Sequence, residues 1–87
     1  MSRVERALLL GRAARDAFAR GEVDEASALV DERGGVLAEL TAMEIGHANF
    51  ARLQSDDREL RRAAEAARDA IGAELRKGRP RAYPVAG

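Results

Sequence analysis

The stretch Ala19-Arg20-Gly21-Glu22-Val23-Asp24-Glu25-Ala26 constrains this chain more than any other, because it reads as one helix ending and another beginning. Gly21 can take the left-handed backbone conformation that closes a helix after Arg20. Glu22, Asp24 and Glu25 then stand where the positive end of the next helix dipole favours carboxylates. Val23, Ala26, Val30, Arg33, Leu37 and Leu40 follow at alternating spacings of three and four, so five apolar residues and one arginine share a helix face. Such a face is an interaction scaffold and carries no obvious chemistry.

Composition narrows what that scaffold can become. Eighty-seven residues make one small domain with a modest core, the size at which helical folds often gain stability by pairing with a second copy or a partner. Aromatic residues are 3% of the chain and nineteen residues are alanine, so helices must pack closely through small side chains. Fifteen basic and fifteen acidic residues cancel, which removes the electrostatic footprint of a general nucleic-acid binder. Cysteine is absent, excluding disulfides, zinc–thiolate sites and thiol nucleophiles. The apolar run Ala7-Leu8-Leu9-Leu10 is too short for a signal-peptide core or a membrane span, so a cytoplasmic protein is expected.

The expected fold is all-α: an antiparallel bundle of about three helices with a long C-terminal helix, able to pair with a second copy. The first helix covers roughly Arg3 to Arg20, with Val4, Leu8, Gly11, Ala14 and Phe18 near one side. Leu8, Leu9 and Leu10 spread over about 200° of its surface, so they cannot all enter one narrow core. The second helix covers about Glu22 to Leu40, with Gly34-Gly35 as a place to kink or break. Thr41-Ala42-Met43-Glu44 matches a capping box, and Asp56-Asp57-Arg58-Glu59 is a second start signal, so either Thr41 or Asp56 can begin the last helix. Leu53, Leu60, Ala64, Ala67, Ile71 and Leu75 form its apolar stripe. Residues 1–77 are thus expected as a single helical domain and residues 78–87 as an extended basic tail, with Gly78, Pro80 and Pro84 ending the helix.

Few residues point to chemistry. His47 is the lone histidine, and without cysteine a metal site would need oxygen ligands; none is expected, nor any cofactor. The carboxylates Asp56, Asp57 and Glu59 are expected at a solvated helix N-terminus, where the dipole alone accounts for them. Arg33 is expected to lay its stem over the core with its head in water; the sharper alternatives are an ion pair with a facing helix or a contact to a bound protein. A small helical chorismate-mutase-like enzyme, which would hold a dianion with several cations, is the remote comparison. Lys77, the only lysine, and Gln54, the only glutamine, fall at no convincing spacing from Arg33. No enzyme is expected.

Several segments together resemble one family. Arg20-Gly21-Glu22-Val23-Asp24, then Leu29 and Arg33, the helix from Asp57-Arg58-Glu59-Leu60 to Leu75, and Gly78-Arg79-Pro80-Arg81-Ala82-Tyr83 resemble FliT-type flagellar export chaperones, with FlgN-type chaperones as relatives in architecture. The chain departs from that pattern at Val23, where the family often has tryptophan, and at Gly34-Gly35. The resemblance implies a cytoplasmic chaperone that binds an amphipathic helix of a late axial subunit, a filament cap or hook-filament junction protein, and keeps it unassembled before it meets the export apparatus. Leu9, Leu10, Val36, Met43, Ile45 and Phe50 are the expected client-binding residues, since most are poorly accommodated by a single stripe on each helix. Neither nucleic acid nor membrane is an expected partner. A self-associating helical module that forms a homodimer is the alternative from another class.

Overall fold

A computed structural model of the protein describes the backbone of residues 1–82 and the side chains of residues 1–77. Three helices account for it: α1 (Arg3–Ala19), α2 (Val23–Ala38) and α3 (Ala42–Ala82). No strand occurs among the described residues.

Each boundary has a local cause. Ser2 caps α1, its Oγ accepting the Glu5 N–H at 3.1 Å. Gly21, at φ +78°, closes α1 in a Schellman motif: the Gly21 N–H donates to the Phe18 carbonyl at 3.0 Å and the Glu22 N–H to the Ala17 carbonyl at 2.9 Å. Around that turn Arg20 reaches Glu22 at 3.2 Å and Glu25 at 3.8 Å. Sharing a hydrogen bond with Glu25 and another with Arg20 holds the Glu22 carboxyl below its ordinary range, and the Glu25 carboxyl is correspondingly raised. α2 runs through Gly34 and Gly35 without interruption, so these glycines neither break nor end it.

Thr41, rather than Asp56, begins the last helix. Its Oγ1 accepts the Glu44 N–H at 3.2 Å, but the Glu44 carboxylate turns to Arg3 of α1 at 3.7 Å. One turn later Gly46 leaves helical geometry (φ +64°, ψ 171°), so a short first turn is offset from the long helix that follows. That helix continues through Gly78 and Pro80 to Ala82, so residues 78–82 are helical in backbone rather than extended; residues 83–87 lie outside the described residues. Arg76 and Lys77 place cations toward its C-terminal end, where the dipole favours them.

The bundle is antiparallel in the expected order. The Arg3 guanidinium donates to the Glu39 carbonyl, which sets the start of α1 beside the end of α2. Arg3 with Glu44, then Arg15 with Glu59, run in ascending order, so α3 travels alongside α1 in the same direction. α1 packs against both other helices, while α2 and α3 stand apart in backbone and are joined chiefly by long side chains. Its buried residues are Val4, Ala7, Gly11, Ala14 and Ala17. Leu8 and Phe18, expected in this set, are half-buried instead. A helix flanked on two sides buries its smallest residues, because these admit two neighbouring backbones, and its larger side chains move to the flanks.

α3 outruns its support. The 36 residues that follow Gly46 extend about 54 Å at 1.5 Å per residue, against about 25 Å for the 17 residues of α1. The radius of gyration of 17.5 Å exceeds the roughly 12 Å of a compact chain of this length. Leu53, Leu60 and Ala67 are buried, but Ile71 and Leu75, at 46% and 65% exposure, continue the same stripe beyond the end of α1.

Glycine substitutions separate these roles. A Cβ at Gly34 or Gly35 meets nothing within 4 Å, so Gly34→Ala and Gly35→Ala each stabilise by about 1 kcal/mol through helix propensity. Gly46→Ala, at positive φ, costs about 1–2 kcal/mol. Gly11→Ala costs about 1–3 kcal/mol, because its Cβ would lie 2.9 Å from the Asp56 Cγ. Urea unfolding of the four variants measures the contrast.

Candidate functional site

Three places in the molecule depart from a simple apolar bundle. The first is an ionic cluster in its interior. Arg33 of α2 and Asp56 of α3 are each only 5% exposed. The Arg33 Nε donates to Asp56 Oδ2 at 3.2 Å, and Nη2 lies 3.1 Å from the same oxygen. The other oxygen, Oδ1, faces Arg15 Nη2 of α1 at 3.5 Å. Asp57 lies 3.6 Å from Arg33 Nη1, and Glu59 accepts from Arg15 Nη1. Asp56 is therefore clamped between guanidiniums from two helices, above the space left by Gly11.

Two expectations change here. Asp56 is in the interior of α3, not at a solvated helix start, and Arg33 forms the ion pair with a facing helix instead of extending its head into water. An ion pair with a facing helix was the alternative for Arg33; its partner, Asp56, was the missing inference. Leu53 and Leu60 leave a gap of seven in the α3 stripe, and Asp56 fills it three after one and four before the other. An arginine in one apolar face and an aspartate in another are complementary. Burial makes the pairing obligatory, since either charge alone would lose its hydration without compensation. The comparison with a dianion-binding enzyme drew on Arg33, whose guanidinium is held by Asp56 and Asp57.

The second place is apolar and lies at the Gly46 break. Ala42, Ile45, His47 and Phe50 line a concavity of about 530 Å³. Met43 is 94% exposed and Phe50 53% exposed. Among the residues expected to meet a client, Ile45 and Phe50 thus share a surface, with Met43 on the same turn as Ile45. Leu9 is 48% exposed on α1 and lines a different cleft, between α1 and α3. Leu10 and Val36 are half-buried and line neither. Among the described residues, no three histidine, aspartate or glutamate side chains are grouped to hold a metal ion.

The third place, at the Gly21 end, combines residues the sequence assigned to the core. Phe18, Val23, Ala64 and Ile71 line a groove of about 350 Å³ between α2 and α3. Around Ile71 it adjoins a concavity of about 450 Å³, walled by Phe18, Ala70, Ile71 and Leu75. The signal for this site was length: a stripe reaching Leu75 on α3 extends farther than the 17 residues of α1 can cover.

The ionic cluster predicts a specific pattern of stability. Asp56→Leu or Arg33→Met alone is expected to cost about 3–5 kcal/mol, since each takes the main partner from a buried charge. The double variant Arg33→Met/Asp56→Leu is expected to recover most of that loss, with a coupling energy read from a double-mutant cycle in urea.

No family model, no curated protein and no solved structure matches this chain, so its residues and their geometry carry the functional argument.

Proposed function

We propose that this protein is a helical binding module for an amphipathic helix of another protein, acting as a flagellar export chaperone in the cytoplasm. The observation that supports it best is the apolar stripe of α3 running past the end of α1, leaving Ile71 and Leu75 in water beside Phe18. Large apolar side chains presented on one helix face and rimmed by charge (Arg68, Glu74, Lys77) are what helix-in-groove recognition needs. Leu9, Met43 and Phe50, together with the half-buried Leu10, Val36 and Ile45, offer a second set of contacts for the same client. No helix among the described residues is long and apolar enough to cross a membrane.

The client follows from the resemblance of Arg20-Gly21-Glu22-Val23-Asp24, Arg33 and the α3 helix to FliT-type chaperones: a filament cap or hook-filament junction protein. The chain would cover that client's C-terminal helix and keep it from assembling until it reaches the export apparatus. A self-associating module without a client is the second reading, and the same overhang of α3 favours it, because two copies would cover one another's Ile71 and Leu75.

A tagged pull-down from the native cell's lysate tests the chaperone reading. The expected result is enrichment of one flagellar axial protein, lost when that protein's C-terminal helix is removed. Capture is expected to fall at least tenfold in Ile71→Glu/Leu75→Glu, with the thermal midpoint unchanged. Recovery of the bait alone, with a dimer by light scattering that the same variant dissociates, would establish the self-associating module instead.

A further inference from the structure

The cleft between α1 and α3 holds two arginines that the ionic cluster does not use. Arg3, Arg6, Arg15, Arg20, Arg33 and Arg61 each have a carboxylate in ion-pair range. Arg12 of α1 and Arg52 of α3 have none among the described residues, yet both line this one cleft. Arg52 donates only a long hydrogen bond, 3.4 Å, to Asn49. Two carboxylates also line the cleft: Asp56 is held by Arg15 and Arg33, while the exposed Glu5 accepts from the neutral Ser2 hydroxyl at 3.3 Å and keeps its charge. Arg15 is paired at both Nη atoms, with Asp56 and Glu59, and its buried Nε has no partner.

Arg12, Arg15 and Arg52 outnumber Glu5 and Asp56 in the cleft lining, which leaves it an excess of positive charge that an anion would offset. Arginine donors match a carboxylate in geometry, and charge-assisted hydrogen bonds of this kind are the strong ones. The remaining wall is apolar, formed by Leu8 and the 48%-exposed Leu9. The volume, about 360 Å³, is at the lower end of the range for small-molecule sites, which begins near 300 Å³.

We propose that this cleft binds a small carboxylic acid with an apolar body, its oxygens held by Arg12 and Arg52 and its body against Leu8 and Leu9. The site does not depend on the partner-helix reading. Its ligand is anionic and compact, whereas the Gly21-end surface is apolar and elongated.

The test titrates the intact protein with benzoate while following the arginine Nε–H resonances by NMR, with acetate as the comparison. Saturable shifts at Arg12 and Arg52, benzoate binding at least tenfold tighter than acetate, and a loss of at least tenfold in Arg12→Gln/Arg52→Gln are expected. Both side chains are exposed, so the double variant should keep its thermal midpoint. Arg58 and Arg62, exposed on α3 with no ion pair among the described residues, serve as internal controls. Non-saturating shifts shared equally by these two, benzoate no tighter than acetate, or undiminished binding in the double variant would overturn the proposal.

Discussion

The contact between Arg33, Asp56 and the backbone at Gly11 sets the arrangement of all three helices. It occupies one layer of the bundle, with one member from each helix, and each member is needed by the others. A carboxylate in an apolar interior is tolerable only with donors on both oxygens, and a guanidinium only with a carboxylate. Neither can be satisfied if a helix slides by one turn. Apolar contacts between alanines are forgiving of register, because many small, similar surfaces fit one another. The ion pair supplies the discrimination that a core without large side chains lacks.

This division of labour explains the absence of any large, fully buried side chain among the described residues. Ala7, Ala14, Ala17 and Ala26 are completely enclosed, and they bring the helices close; Leu53 and Leu60 are buried beside them, while Leu8, Leu37 and Phe18 sit half-buried at the edges of the contacts. The driving force from burial is correspondingly modest. Residues that would fill the centre of a larger domain are displaced to surfaces, and several of these surfaces are concave.

Helix number, order and the two turns were legible in the sequence because each has a local cause. Gly21 with its flanking charges needed only the chemistry of a few neighbours; Thr41 carried the same kind of local signal, but Asp56 offered a rival start that only its burial removes. Gly34-Gly35 misled in the other direction: a propensity cost of about 1 kcal/mol per glycine is small beside the tertiary contacts of Arg33 and Leu37 on either side. The buried pair was harder to see, since it joins residues 23 positions apart and each has an innocuous local explanation. The exposure of Ile71 and Leu75 was hidden for a related reason. A stripe specifies which side of a helix is apolar, whereas its burial depends on where the neighbouring helices end.

The unequal lengths of α1 and α3 also have an energetic consequence along the chain. From Leu53 to Ala67, α3 buries Leu53, Asp56, Leu60 and Ala67 in the bundle. Past Ile71 helicity rests on intrinsic propensity and the dipole, and a free helical segment of some 12 residues is marginal in water. Amide hydrogen exchange should therefore quicken along α3 toward Lys77, rather than stepping at a domain boundary. A protein settling on this end would complete the helix as it bound, so part of its interaction energy would go into ordering the backbone. The affinity measured at this end would then carry the signature of coupled folding, a heat-capacity change larger than the contact area alone implies.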